Sequence, residues 1–257
     1  MGEAGLRHVR GTPRLFPRRR GEGARVTVSL VGAGPGDPEL ITVKGLARLR
    51  ACDVLVYDRL VAAELVDEAP DDALRIERDR LEQDEVNEVL VSLGRRGDEV
   101  VRLKGGDPLL FGRGGEEALA LARAEVPFEI VPGVSSLASV PGSVGIPVTH
   151  RGLASAVTAF AAHDVESLDV AALARMPGTL VAYMGGARAD RLARRLIEHG
   201  LPASTPAAVI VRGTLPDEQV IVSPLGAVAA APGTPALVVI GDVVGVRALL
   251  AVRRSAA

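Results

Sequence analysis

Aromatic residues are almost missing from this chain: four Phe, two Tyr and no Trp in 257 residues, although 47% of the sequence is hydrophobic. An interior of that kind is built from Ala, Val, Leu and Ile in regular layers, which suits an α/β architecture rather than a core arranged around large rings. Cysteine is equally scarce. The single Cys52 excludes an internal disulfide and any cysteine-cluster metal site, and a reducing, cytoplasmic setting is expected. His8, His150, His163 and His199 are scattered without ligand spacing, so no metal is expected. No uninterrupted apolar run is long enough to cross a bilayer, and the formal charge of -2 gives no general pull toward nucleic acid. Neither a membrane nor a nucleic acid is therefore an expected partner. Lysine is nearly absent too, with only Lys44 and Lys104 among 30 Lys and Arg residues. Arginine abundance spread over the whole chain does not by itself define an anion-binding surface.

What is present is a repeating pattern. Residues 1–25 are rich in Arg, Gly and Pro without hydrophobic periodicity, and are expected to form a disordered extension. They lack the apolar stretch of a signal peptide and are poor in serine for a transit peptide. From Val26, "RVTVSLVGAG" predicts a strand, "PELITVKGLARLRAC" a helix, "DVLVYD" a strand, "QDEVNEVLVSLGRRG" a helix and "DEVVRLKGGD" a strand with its loop. "GRGGEEALALARAE" then predicts a helix and "PFEIVPGVSS" a strand and turn. Alternating strands and helices imply a largely parallel sheet covered on both faces. The Pro/Gly-dense "VPGSVGIPVTHRG" breaks this rhythm and marks the passage from a first α/β domain, residues 26–134, to a second, residues 135–250. There "ASAVTAFAA", "GTLVAYMGG", "TPAAVIVRG", "EQVIVS" and "PALVVIGDVVGV" supply strands with fewer helices between them, which predicts a mixed sheet.

The turn "LVGAGPGDPEL", Leu30 to Leu40, sits where a dinucleotide-binding fingerprint would lie. Its third glycine comes one residue early, Pro35 removes a backbone donor, and Asp37 puts a carboxylate where a phosphate would need positive potential. The loop is thus not a phosphate cradle, and it suits a ligand with a cationic centre. Asp37 also has a plain role as N-cap of the helix starting near Pro38, and that role takes the larger share. A second loop repeats the theme in "LKGGDPLLFGRGGEE", with Gly105, Gly106, Asp107 and Pro108. Two such loops at the carboxyl ends of neighbouring strands form the crevice where doubly wound sheets bind ligands.

Together with "YDRLV" at Tyr57, "VPGVSS" at Val131, "PVTHRG" at Pro147 and "YMGG" at Tyr183, these loops resemble the tetrapyrrole methylases from about Val26 to Leu250. The resemblance implies two α/β domains with S-adenosylmethionine held in the cleft between them, and usually a homodimer. It implies methyl transfer to two ring carbons of uroporphyrinogen III, giving precorrin-2, with S-adenosylhomocysteine as the spent cofactor. Pro35, Gly105, Gly106, Asp107, Leu110, Ser135, Ser136, Met184 and Gly213 match the family's cofactor contacts. Asp58 matches its proton acceptor. For a polycarboxylate macrocycle, Arg59, His150 and Arg151 are the matched substrate contacts, while Arg113 reads equally well as structural. Each position also has a plainer reading: core packing for Met184, a turn or cap for Asp58, a solvated charge for any one arginine.

The chain departs from the family pattern twice. Between the strand near Ala73 and the helix near Gln83 it has only "LRIERDRLEQDEVN", shorter than the family's loop and without the lysine assigned there as a proton donor. Arg78 and Arg80, the nearest cations, stay protonated and cannot serve as acids. After "VTAF", "AAHD" stands where the family has Thr-Gly-His. Two alternatives therefore stay open: a methylase of a later corrin precursor, and a non-catalytic relative that binds cofactor or tetrapyrrole. The length leaves no room for a fused dehydrogenase, ferrochelatase or synthase module, so oxidation of the methylated product is expected elsewhere.

Overall fold

The computed structural model describes residues 26–250, and the extension expected over residues 1–25 lies outside the described residues. The chain divides after Ser135 into two units, each with its own five-stranded sheet.

The first unit contains β1 (Val28–Gly32), α1 (Val43–Leu49), β2 (Val54–Tyr57), α2 (Ala63–Asp67), β3 (Leu74–Glu77), α3 (Gln83–Arg96), β4 (Val100–Lys104), α4 (Gly114–Arg123) and β5 (Phe128–Val131). All strands are parallel, in the order β3-β2-β4-β1-β5. The central strands are near-continuous apolar runs because each of their faces is covered. Val31, Leu55, Val101 and Leu103 pack with Leu49 and Leu65 on one face, and Leu30, Val54 and Val56 pack with Val86, Leu90 and Leu121 on the other.

The expected single helix over "PELITVKGLARLRAC" is a correction. Pro38–Leu40 form a 3-10 turn and α1 starts afresh at Val43. Two caps compete: Asp37 accepts from the Glu39 amide at 2.9 Å and Thr42 Oγ from the Gly45 amide at 3.1 Å, with Thr42 itself extended. The Asp37 capping role read from the sequence is present.

The second unit contains α5 (Ser136–Ser143), β6 (Val157–Ala161), α6 (Val170–Ala174), β7 (Thr179–Tyr183), α7 (Ala189–Glu198), β8 (Pro206–Val211), β9 (Gln219–Pro224), β10 (Ala236–Ile240) and α8 (Val246–Leu250). Its order is β6-β7-β10-β8-β9, with β6 and β7 parallel and the other pairs antiparallel, the mixed sheet expected. Leu192, Ala193 and Leu196 of α7 form the stripe that packs on Leu180, Val209 and Val238. A second correction falls on "VPGSVGIPVTHRG", read as a break in the element pattern. Helix α5 runs into it and carries Pro141 inside. Burial decides against the proline: Val140, Val144 and Ile146 enter the core, and the Pro141 carbonyl accepts from the Val144 and Ile146 amides.

Candidate active site

In the first unit β1 departs toward β2 and β4 departs toward β5, so the chain leaves these hydrogen-bonded neighbours in opposite directions. That is the switch point at which an open α/β sheet offers a crevice beyond its carboxyl ends. The two glycine loops meet there. The Ala33 amide donates to the Lys104 carbonyl at 2.7 Å, and Gly34 and Gly106 exchange amide and carbonyl at 3.3 and 2.7 Å. The turn after β5 joins them, because the Gly133 amide donates to Asp107 Oδ2 at 3.1 Å while Asp107 Oδ1 accepts from the Leu109 amide at 2.9 Å. The amides of Ala33, Gly34 and Gly106 are thus spent between the loops, and Pro35 has none. This agrees with the reading that the first loop is no phosphate cradle. Gly105 is different: an added Cβ would meet only Leu60 Cβ, at 3.9 Å, so its backbone faces open space beside half-buried Asp107 and Leu110.

Asp58 follows β2, the other neighbour of β4. Its Oδ1 accepts from Arg102 Nη2 at 2.5 Å, and Arg78 Nε lies 3.8 Å from the same oxygen. Arg102 is only 1% exposed, donates through Nε to Glu117 Oε1 at 3.0 Å and through Nη1 to the Leu103 carbonyl. Lys104, also 1% exposed, donates to that same Glu117 oxygen at 2.9 Å, and Glu117 is wholly buried with Oε2 unpartnered. Removing each such ion from water costs several kcal/mol, so the group persists only because its members pair. Burial foremost, then the neighbouring Arg102 guanidinium, pushes the Lys104 ammonium below its ordinary value, and Glu117 opposes that shift.

The other sequence candidates in this unit differ in what they touch. Arg59 is exposed and its Nε is 3.0 Å from Asp79 Oδ2, within the 3-10 turn Arg78–Arg80 that the shortened stretch forms. The Arg78 Nη2 donates to Gln83 Oε1 at 3.3 Å, and its buried Nε has no hydrogen bond. Arg113 pairs with Glu116 through two contacts of 2.8 and 2.7 Å at the start of α4, the structural role allowed for it. Ser135 closes the unit, half-buried. A cavity lined by Thr27, Ser29, Arg48, Cys52, Glu99 and Val101 opens at the opposite, amino ends of β1 and β4 and holds none of the candidates. Burial pushes the Cys52 thiol up to about 12, which leaves it unreactive there.

In the second unit Ser136 Oγ donates to the Tyr183 hydroxyl at 3.3 Å, which brings the start of α5 to the end of β7. Met184 follows at φ 56°, left-handed backbone for a side chain that is 52% exposed, so it does not pack in the core. Gly213 lies between Arg212 and Thr214, both at positive φ, and its missing Cβ would stand 2.4 Å from Val140 Cγ1. Glu218 fixes the turn, accepting from the Thr214 amide at 2.7 Å and from Ser143 Oγ at 3.2 Å. His150 and Arg151 lie in an exposed turn closed by the His150–Ala154 bridge, and His150 Nδ1 donates to the Arg151 carbonyl at 2.8 Å. Among the candidates of this unit, Ser136, Met184 and Gly213 gather around α5 and the ends of β7 and β8, whereas His150 and Arg151 occupy a separate turn.

The sequence reading missed Arg102, Lys104 and Glu117. A signal was available: "VVRLK" lies in a strand predicted to be covered on both faces, where charged side chains must be buried and paired.

Comparison with known proteins follows the same lines. The family model described as Tetrapyrrole (Corrin/Porphyrin) Methylases matches residues 27–229. A siroheme synthase of Yersinia enterocolitica is 47% identical over 229 residues, 84% of this chain and 48% of the relative. The chain thus spans about half the length of the curated relatives it matches. Among solved structures, a uroporphyrin-III C-methyl transferase of Thermus thermophilus complexed with S-adenyl homocysteine is 40% identical, with TM-score 0.75, covering 85% of this chain and 99% of that one. A cobalt precorrin-4 methyltransferase is 27% identical, with TM-score 0.75, covering 90% and 99%. Among the described residues no helix is long and apolar enough to cross a membrane.

Proposed function

The chain belongs to the tetrapyrrole (corrin/porphyrin) methylases, and from that premise we propose that it is an S-adenosylmethionine-dependent C-methyltransferase that methylates two ring carbons of uroporphyrinogen III to give precorrin-2. The observation that carries this reading is the closure of two glycine loops on each other at the ends of β1 and β4, with Asp58 at the end of adjoining β2. The residues present suit the cofactor. Gly105 exposes backbone that a Cβ would cover, Asp107 is held by two amides with lone pairs to spare, and the Met184 thioether is exposed and polarisable. Pro35, Gly105, Gly106, Asp107, Leu110 and Ser135 are the proposed cofactor contacts of the first unit, and Ser136, Met184 and Gly213 those of the second.

When bound, the cofactor supplies an electrophilic methyl group on a sulfonium. That methyl would pass to an electron-rich pyrrole carbon of the substrate as its bond to sulfur breaks and S-adenosylhomocysteine leaves, and the resulting cation would have to lose a proton. Asp58 accepts that proton: it is only partly exposed, and the Arg102 hydrogen bond falls on Oδ1. Arg59, His150 and Arg151 are the proposed contacts for the carboxylates of the macrocycle. The reading extends to a cytoplasmic homodimer serving sirohaem or cobalamin synthesis, and light scattering of the purified protein tests the dimer.

A second reading, methylation of a later corrin precursor, is favoured by the likeness to the cobalt precorrin-4 methyltransferase and by the shortened segment around Arg78. One experiment separates these. Incubated anaerobically with uroporphyrinogen III and S-adenosylmethionine, the protein should add two methyl groups by mass. Addition only to a later precursor supports the second reading, and cofactor binding without any methylation supports a non-catalytic relative.

A further inference from the structure

On β4, Val100, Arg102 and Lys104 alternate with Val101 and Leu103, and Val100 packs in the layer of α3 and α4 while Val101 and Leu103 pack in the opposite one. Arg102 and Lys104 therefore continue an apolar face, where both are 1% exposed. Their shared partner, Glu117, comes from the first turn of α4. The fully buried set thus holds two cations against one carboxylate. Asp58, ion-paired to Arg102, is the fourth member.

We propose that Arg102 is the positioning residue for Asp58, with Glu117 and Lys104 locking its guanidinium from behind. This rests on the reading of Asp58 as proton acceptor. The guanidinium is planar, so its attachment to Glu117 through Nε and to the Leu103 carbonyl through Nη1 fixes where Nη2 points. Nη2 occupies Asp58 Oδ1, and the carboxylate presents Oδ2 to the substrate. Arg78 cannot do this work, because its contact with Oδ1 is 3.8 Å and it comes from the surface turn Arg78–Arg80. Arg102 itself touches no reacting atom. It transfers no proton, since guanidinium stays protonated, and acts only through the orientation of Asp58.

The test is a double-substitution cycle in the full chain: Asp58→Asn, Arg102→Met and both together, with S-adenosylhomocysteine affinity by calorimetry and single-turnover methylation of uroporphyrinogen III. Arg102→Met should keep cofactor affinity and KM and lower kcat by about 10²-fold, the order expected for a misplaced catalytic group. In the double variant the loss should not exceed that of Asp58→Asn alone, because both changes remove one device. Arg102→Lys, which keeps the charge and leaves the core polar, stands in if the methionine variant fails to fold, and should also lower kcat without restoring the fork. Wild-type turnover with Arg102→Met or Arg102→Lys unimpaired overturns the proposal alone, as do losses that multiply in the double variant. No methylation by the wild-type protein overturns this proposal and the proposed function together.

Discussion

Gly32 and Gly133 lie so close that a Cβ on Gly32 would stand 2.5 Å from the Gly133 Cα and 2.6 Å from the Gly106 carbonyl oxygen. Backbone thus packs on backbone at the carboxyl end of β1, where no side-chain tip stands that could turn away. Gly32→Ala should force the loops apart and lower stability by about 1–3 kcal/mol, the usual cost of overpacking. Affinity for S-adenosylhomocysteine should fall with it. Thermal unfolding and calorimetry on the purified variant check both, and an unchanged affinity would show that loop closure is not what prepares the proposed cofactor contacts.

Met184 offers the opposite trade. A half-exposed side chain at φ 56° has little packing to lose and carries backbone strain that glycine would relieve. Met184→Gly should melt no more than slightly below the parent protein while binding S-adenosylhomocysteine more weakly. A large fall in melting temperature with full affinity would return Met184 to an ordinary packing role.

The buried Lys104 gives a pH signature whose sign is fixed by its environment. Its ammonium is destabilised in the fold, so its folded pKa lies below the ordinary lysine value of 10.5. Between those two values the unfolded chain holds a proton that the folded chain has released, and stability therefore rises with pH across that window. Below the folded value the penalty for the buried charge is present in full. Lys104→Met should remove this rise, flattening the alkaline slope of unfolding free energy by up to about 1.4 kcal/mol per pH unit. Urea unfolding of both proteins across the alkaline range decides it. Identical slopes would mean that Lys104 titrates as an ordinary lysine.

The strands were legible because period and composition both point to them. "VSLVG", "VLVY" and "ALVVI" are short, β-rich and bounded by turn residues, and each is a strand. Helices α2 and α6, five residues each, are too short for periodicity to register. Pro141 misled because a proline read locally stops a helix, whereas Val140 and Ile146 gain more from reaching the core of the second unit. The first glycine loop was legible since its glycine spacing, Pro35 and Asp37 together separate it from a phosphate cradle. The ion group under Asp58 was not, because Asp58 and Arg102 stand 44 residues apart and only the sheet order, with β2 beside β4, brings them together. The general abundance of arginine hid the one that is wholly buried among the residues around Asp58.

Asp58 and Arg78 give the sharpest contrast among the charged candidates. From the sequence, Arg78 belongs to a shortened loop without the family's lysine, and a change there is expected to act through substrate binding. In the fold it stands 3.8 Å from Asp58 Oδ1, with both side chains about a quarter exposed. A pair of that length and exposure contributes at most about 1 kcal/mol, which converts to less than about tenfold in rate. Arg78→Gln should therefore raise KM and leave kcat within that factor. Asp58→Asn keeps the size and polarity of the side chain, so cofactor affinity should hold. The chemical step should slow by about 10²- to 10⁴-fold, the usual contribution of a positioned general base. Single-turnover rates and calorimetry on both variants settle the division of labour. Wild-type chemistry in Asp58→Asn, together with abolished chemistry and intact binding in Arg78→Gln, would remove the proton acceptor's role from Asp58, make the short turn essential to the chemical step and leave the buried group beneath Asp58 a purely structural one.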